Sequence, residues 1–254
     1  MTPYQYVNNN PIMFTDPTGM SAEGAGDPLK NVVINFLRNE KDKHGNTLGN
    51  YDNKGLAENG WHVIDVTSIE EANTKLTEYL GGSKADNIFI NAHGGRLYES
   101  GGFSSDGNEI KNYNDSFINF EGNSLLGSQV LDYANGNRSG IPQEAASKIE
   151  SLMSIGSQIK DNKNLIIASC YTGTGDKFGE GISKLVPNVD VFLNKDYTTS
   201  NSDGRTGKID YIGFSRPLTT NKNYENGWIR YNTGSKRREK FNVQINKTNG
   251  VSAF

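Results

Sequence analysis

One histidine and one cysteine could do chemistry together, because each directly follows a short apolar run. The run at 87–92, Asn-Ile-Phe-Ile-Asn-Ala, leads into His93, and the run at 164–169, Asn-Leu-Ile-Ile-Ala-Ser, leads into Cys170. Cys170 is the only cysteine and His93 is one of three histidines. An imidazole can generate a thiolate and can protonate a leaving amine. The pair therefore predicts nucleophilic catalysis of acyl transfer.

Small residues beside the pair predict an oxyanion and substrate site. An acyl-transfer intermediate needs N–H donors aimed at its oxyanion. Gly94 has no side chain, so its N–H can approach a substrate closely, and the N–H of Cys170 is the second candidate donor. Gly95 and Gly173 are expected to leave room for an extended peptide, and Ser169 is grouped with this oxyanion and substrate site.

Each member of the pair also has a structural interpretation. A lone cysteine after an apolar strand is more often a small buried hydrophobic residue than a nucleophile, and a lone histidine is more often a structural residue. His93 and Cys170 both lie at predicted strand ends and both are flanked by small residues, and His93 precedes Cys170 in the chain. This combination favours catalysis. His44, in a polar turn, and His62, at the start of a predicted strand, are not expected to be catalytic.

Composition limits the class of protein. The 254 residues carry a net charge of −3, which argues against a nucleic-acid-binding domain. A basic cluster at 236–240 is interpreted as a hairpin tip, with a phosphate-binding patch as the alternative. We expect no membrane span and no signal peptide, so export would need something outside this sequence. A single cysteine excludes an intramolecular disulfide and a cysteine-based zinc cluster, and no metal or cofactor is predicted.

Apolar runs alternate with helical patterns from residue 30 onwards. A helix is predicted to begin at Ser68, which forms a capping box with Glu71, and to end at Gly81. Further helices are predicted after Pro142 and over 178–185. This alternation predicts an α/β fold, with a mostly parallel sheet flanked by helices and a site at the carboxyl ends of the strands. The predicted strands are 31–37, 61–66, 87–92, 164–169 and 189–193.

Two other segments interrupt the alternation. Trp228–Tyr231 and Phe241–Ile245 are β-like runs, which predict a C-terminal antiparallel hairpin. The segment Arg96–Gly140 is rich in Gly, Asn and Ser and begins just after His93. It is interpreted as a long substrate-facing loop or lid with a short helix at Ser124–Tyr133.

Residues 4–20 resemble the end of the core of Rhs (YD-repeat) proteins. In that family, a Tyr-x-Tyr-x-x-Asn-Asn-Pro stretch leads to Asp-Pro-x-Gly-Leu or Met, and here Asp16, Pro17, Gly19 and Met20 match. A simple turn is the alternative for Asp-Pro-Thr-Gly taken alone. The resemblance implies a C-terminal toxin, enclosed in an upstream repeat shell and released after Met20. The family's upstream partner aspartate is not in this chain, so cleavage of the chain by itself is not expected.

The predicted domains follow from that motif. Residues 1–20 are the end of the Rhs core with its processing motif, 21–29 are a flexible linker, and 30–254 are the toxin domain.

Residues of the catalytic pair resemble the caspase–legumain–gingipain superfamily of cysteine peptidases, including its CHAT branch. Ala92-His93-Gly94, Ala168-Ser169-Cys170 and the following Tyr-Thr-Gly match the motifs of that superfamily. The resemblance implies a caspase-like fold, His93 as base or acid, Cys170 as nucleophile and Gly94 as an oxyanion donor. Members that cut after Arg or Lys carry an acid where Ala168 stands, so basic specificity is not expected from that position.

The sequence therefore predicts a cysteine endopeptidase effector, delivered into a target cell. Its expected partners are a protein substrate there, a cognate immunity protein and the upstream Rhs shell. Two alternatives stay open: a toxin of another enzymatic class, such as a nuclease or nucleotide-modifying enzyme, and a non-catalytic caspase-like binding module.

Overall fold

The computed structural model describes residues 30–37, 57, 60–120, 123–194 and 228–232, together with the backbone of short strands elsewhere. The Asp16–Met20 motif, most of the 21–29 linker, His44 and residues 236–239 lie outside the described residues. The isolated short strands are Phe14–Thr15 paired with Glu23–Gly24, Asn201–Ser202 paired with Ile209–Tyr211, and Val243–Asn246 paired with Gly250–Ala253.

Ten strands and four helices build the main body of the described chain. The strands are β1 Asn31–Asn35, β2 His62–Asp65, β3 Ala85–Asn91, β4 His93–Phe103, β5 Glu109–Phe120, β6 Asn123–Leu126, β7 Ile159–Ala168, β8 Val189–Asn194, β9 Trp228–Tyr231 and β10 Lys240–Phe241. The helices are α1 Ile69–Leu80, α2 Gly127–Ala134, α3 Gln143–Ser157 and α4 Lys177–Leu185. Among the helices of the described residues, none is both long enough and apolar enough to cross a membrane.

The main sheet has seven strands in the order β10-β9-β8-β7-β3-β1-β2. The five strands from β8 to β2 are parallel to one another. β9 joins β8 antiparallel and continues into an antiparallel hairpin with β10, in which Trp228 pairs with Phe241. The mostly parallel sheet predicted from the sequence is confirmed. The C-terminal hairpin is also present, but its second strand is Lys240–Phe241 rather than Phe241–Ile245, because Val243–Asn246 pairs with Gly250–Ala253.

Side chains alternate between the two faces of this sheet, and both faces are buried. Val33, Phe89, Ile166 and Phe192 lie in one row, because their strands pair residue for residue. They form one cluster with Trp228. The neighbouring rows point to the other face and share a larger core with all four described helices. Burial on both faces explains why these strands read as near-continuous apolar runs.

The predicted start of α1 at Ser68 and its end at Gly81 are confirmed, but only the Ser68 half of the predicted capping box forms. The Ser68 hydroxyl accepts a hydrogen bond from the Glu71 N–H at 2.9 Å, and Gly81 ends the helix with a left-handed φ of 54°. The Glu71 carboxylate in turn accepts from the N–H of Thr67 at 2.7 Å. The Ser68 hydroxyl satisfies one N–H group that a helix start otherwise leaves without a partner, whereas the Glu71 carboxylate fixes the residue that precedes the cap.

The prediction of a long loop over Arg96–Gly140 is wrong. β4 and β5 form an antiparallel hairpin, and β6 extends it to a three-strand sheet. Most of β4 and the outer half of β5 are exposed, so these strands need few apolar residues and resemble a loop in composition. The short helix predicted within the segment is present, although it begins at Gly127 rather than Ser124.

Candidate active site

His93 and Cys170 lie at the carboxyl ends of two neighbouring parallel strands. Asn91 pairs with Ala168 across β3 and β7, and each catalytic candidate lies two residues beyond that pair. Parallel neighbours are about 4.8 Å apart. Ligands of open α/β sheets bind beyond the carboxyl ends of the strands; the strand order reverses between β1 and β3, one strand gap away from the β3–β7 pair. The topology therefore brings the two candidates to one edge of the sheet, at a position suited to a ligand.

Gly94 packs directly against the chain that carries Cys170. A β-carbon on Gly94 would lie 2.7 Å from the carbonyl oxygen of Cys170 and 2.8 Å from the β-carbon of Ser169. The backbones after His93 and before Cys170 are therefore in contact, and glycine is required by packing at this position. The oxyanion role of Gly94 stays a prediction.

The side chains of the site differ in exposure. His93 is exposed and Cys170 is half-buried, so a substrate can approach both. Ser169 is fully buried, and its hydroxyl oxygen has no hydrogen-bond partner among the described residues. Ser169 therefore lies beneath the surface that a substrate would meet.

Hydrogen bonds from two directions fix the loop after Cys170. The Ser116 hydroxyl of β5 donates to the carbonyl of Thr172 at 2.9 Å, and both residues are fully buried. The N–H of Gly173 donates to the carbonyl of Asn194 at the end of β8, at 2.8 Å. The Thr172 hydroxyl donates to the Ser169 carbonyl at 3.1 Å. These bonds hold the loop against both sheets, and Gly173 contributes one of them.

The same loop contains unusual backbone conformations. Tyr171, the residue after Cys170, has a φ of 60°, and Asp176 has the same value. Residues other than glycine adopt this left-handed conformation at a cost, and such conformations cluster at functional sites. A hydrogen bond of 2.8 Å from the Tyr231 hydroxyl to the Asp176 carboxylate helps to hold the end of the loop.

The β4–β5 hairpin adds residues that the sequence did not point to. Asn119 pairs with His93 across the hairpin. Directly opposite residues of antiparallel strands project from the same face with β-carbons about 5 Å apart. The side-chain oxygen of Asn119 is buried and has no hydrogen-bond partner in the described part of the chain. Asn119 is therefore an available acceptor beside the candidate base.

Gly95 also serves packing. A β-carbon there would collide with the ring of Phe117, its cross-strand partner. The space expected for a peptide beside the α-carbon of Gly95 is thus filled by an aromatic ring. The segment 117–120 reads Phe-Ile-Asn-Phe, which lacks the strict apolar–polar alternation of a half-buried strand, so the sequence carried no clear signal for this strand or its partner.

A separate cavity of about 500 Å³ lies along the outer edge strand β2, where its lining includes His62, Asp65 and Tyr79. The His62 ring stacks on Tyr79 with centroids 3.7 Å apart, and burial lowers the pKa of His62. β1 separates this edge strand from the strand that leads to His93. The cavity is therefore distinct from the strand-end site.

The chain matches no protein-family model and no curated protein. Within the described ranges, no three His, Cys, Asp or Glu side chains come together as a metal site. The His93–Cys170 edge of the sheet is the candidate site. A thiol, an imidazole and a glycine backbone at one edge are the groups that acyl transfer uses.

Proposed function

We propose that this chain is a cysteine endopeptidase with Cys170 as nucleophile and His93 as general base and acid. The observation that carries the proposal is the junction of the two strand ends, where Gly94 packs on the carbonyl of Cys170. The registered pair Asn91–Ala168 supports it, because it places both candidates at the same level of the sheet.

The proposed reaction has two halves, formation of a thioester on Cys170 and its hydrolysis, and His93 transfers the proton in both. His93 takes the thiol proton, and the Cys170 sulfur attacks the carbonyl carbon of the substrate peptide bond. The C–N bond then breaks as His93 returns the proton to the leaving amine. Water, activated by the same imidazole, hydrolyses the thioester, which releases the acid and restores the thiol. The N–H groups of Gly94 and Cys170 stabilise the oxyanion in both steps.

Asn119 completes this proposal as a positioning residue. A histidine base works best when its second N–H is held by an acceptor. The Asn119 oxygen is buried and its residue lies directly opposite His93, which makes it the acceptor proposed for the second imidazole N–H. That bond would fix the ring while the other nitrogen faces the thiol.

A caspase-like relationship is part of the proposal, supported by the mostly parallel sheet and the His-Gly and Ser-Cys motifs at its edge. The Rhs-like residues 4–20 support a role as an effector toxin. In this proposal the domain is released from an upstream repeat shell after Met20 and acts on a protein in a target cell. An immunity protein neutralises it in the cell that produces it. That motif lies outside the described residues.

The test compares the full chain with Cys170→Ala and His93→Ala, using a proteome-derived peptide library and mass spectrometry. We expect the wild type to cut the library and each variant to lose at least about 100-fold in kcat/KM, since acid–base catalysis contributes 10²–10⁴-fold. An electrophilic peptide probe should label the wild type at Cys170. Expression in a sensitive host should be toxic for the wild type alone.

His62→Ala is the matched control, because this histidine lies on the outer edge strand and stacks on Tyr79. It should cut like the wild type. Full toxicity of a folded Cys170→Ala variant would overturn the proposal and favour a different enzymatic class. Absence of both cleavage and labelling in a folded wild type would favour a non-catalytic binding module.

A further inference from the structure

Arg96 lies between two tyrosine rings, one of which follows the proposed nucleophile. Its guanidinium carbon is 3.7 Å from the centroid of the Tyr113 ring and 4.3 Å from that of the Tyr171 ring. Tyr113 belongs to β5, and Tyr171 is the residue directly after Cys170. The cation is therefore held close to the site by contacts from two separate parts of the chain.

A guanidinium that contacts rings through its two faces keeps its edge available for a ligand. Its N–H donors lie in its plane, and ring contacts use the faces above and below that plane. Arg96 is exposed, and no carboxylate among the described residues forms an ion pair with it. The in-plane donors match the two oxygens of a carboxylate, which Arg can bind in a bidentate way. A fixed guanidinium loses less conformational entropy on binding such a group.

The same face of the hairpin continues outward with aromatic rings and a second cation. The Tyr98 and Tyr113 rings lie 5.7 Å apart, and the Lys111 ammonium lies 4.4 Å from the Tyr98 ring. At the outer end, the hydroxyl of Tyr98 is 3.5 Å from a carboxylate oxygen of Glu109. Lys111 thus contacts a tyrosine that reaches Glu109, whereas Arg96 contacts the tyrosine that follows Cys170. This difference makes Lys111 a useful comparison.

We propose that Arg96 is a specificity-determining residue that binds an acidic side chain of the substrate polypeptide, within a few residues of the bond that is cut. This inference rests on the proposed peptidase function. An extended peptide advances about 3.3 Å per residue, so a strand lying over Cys170 can place an Asp or Glu side chain beside Tyr171. The Tyr171 and Tyr113 rings hold the guanidinium in its binding position.

The experiment profiles cleavage of a peptide library by the wild type, Arg96→Gln, Arg96→Glu and Lys111→Gln. The wild type should cut sites enriched in Asp or Glu at one fixed position. For a matched peptide pair that differs only as Glu against Gln there, the wild type should prefer Glu by roughly 10–100-fold in kcat/KM. That range corresponds to a charge-assisted hydrogen bond of about 1.5–3 kcal/mol. Arg96→Gln should lose this preference, measured as the ratio of kcat/KM for the Glu peptide to that for the Gln peptide within each enzyme.

Charge reversal separates recognition from a structural role. Arg96→Glu should shift the preferred residue at that position to Lys or Arg, which a merely structural cation would not do. Lys111→Gln, with its cation further along the hairpin, should keep the acidic preference. A wild type that cuts without acidic preference, or an Arg96→Gln variant that keeps it, overturns this inference and leaves the peptidase proposal intact. A wild type that cuts nothing and is not labelled at Cys170 overturns both.

Discussion

Gly94 lies so close to Cys170 that a single added carbon would reach within 2.7 Å of the cysteine's carbonyl oxygen. This contact joins the start of the β4–β5 hairpin to the end of β7, two segments far apart in sequence. A glycine first selected as a hydrogen-bond donor is thus also a packing requirement of the site. The two roles predict different consequences of substitution, because a packing role affects stability as well as rate.

Gly94→Ala should lower both stability and activity. The added carbon meets a backbone carbonyl and the fully buried Ser169, neither of which can move without shifting β7 or β4. Overpacking of this kind costs about 1–3 kcal/mol of unfolding free energy. Urea denaturation and the rate of Cys170 labelling by an electrophilic peptide probe would measure the two effects.

Gly101→Ala is the matched control on the same strand. Its added carbon would meet side-chain atoms of Asn112 and Ile110, which are exposed and can move. Equal stability and labelling in Gly94→Ala and Gly101→Ala would contradict the proposed tight junction.

Asn119→Leu should reduce kcat by roughly 5-fold with little change in KM. A hydrogen bond is worth about 1 kcal/mol, and Asn119 is proposed to orient His93 rather than to contact substrate. Asn119→Asp keeps an acceptor oxygen at the same place and should restore most of the rate. Steady-state kinetics on one cleaved peptide would measure both variants. If Leu and Asp variants have the same kcat, Asn119 does not position the histidine.

Ser116→Ala should destabilise the loop that follows Cys170. The hydroxyl of Ser116 donates to the Thr172 carbonyl in a fully buried position. Its removal leaves that carbonyl without this partner, at a cost of about 1–3 kcal/mol. Hydrogen exchange should increase in the loop, and the labelling rate of Cys170 should fall. Ser100→Ala, an exposed position on the same hairpin, should change neither quantity, and an equal effect of the two substitutions would argue against the anchor.

The sequence was most informative where burial is complete. β1, β3, β8 and the carboxyl half of β7 are buried on both faces, so they appear as apolar runs. The carboxyl ends of β3 and β7 mark His93 and Cys170. The α1 boundaries were predictable because Ser68 and Gly81 have local capping roles. β7 was predicted to begin at Asn164 but begins at Ile159. Residues 160–163 of this strand are polar, so they carry no apolar signal.

The hairpin was not predictable in the same way. β4 is almost wholly exposed, so its stability comes from cross-strand pairing rather than from an apolar face. Asn119 and Arg96 became candidates only when that pairing placed one beside His93 and the other beside Tyr171. Such relationships join positions that are distant along the chain, and no local pattern contains them.

The Glu71 carboxylate makes α1 sensitive to acid. A hydrogen bond from Lys75, with further bonds from the N–H and hydroxyl of Thr67, lowers the pKa of Glu71 from 4.5 to about 2. A carboxyl whose pKa is depressed by folding stabilises the fold above its unfolded pKa, and that contribution disappears as the pH falls through the folded value. Here the window runs from about pH 4.5 down to about pH 2. The side chain is 35% exposed, so solvent screening keeps the contribution below about 1 kcal/mol.

Glu71→Gln tests this window, because glutamine keeps an oxygen that can accept from Thr67 but removes the charge. Near pH 7 the variant should be slightly less stable than the wild type, and the difference should shrink as the pH is lowered from about 4.5 towards 2. Urea denaturation at a series of pH values would measure it. Glu78→Gln, an exposed position on the same helix, is the control for removal of a surface charge. If the difference for Glu71→Gln is constant across the series, the carboxylate does not stabilise α1 through its charge.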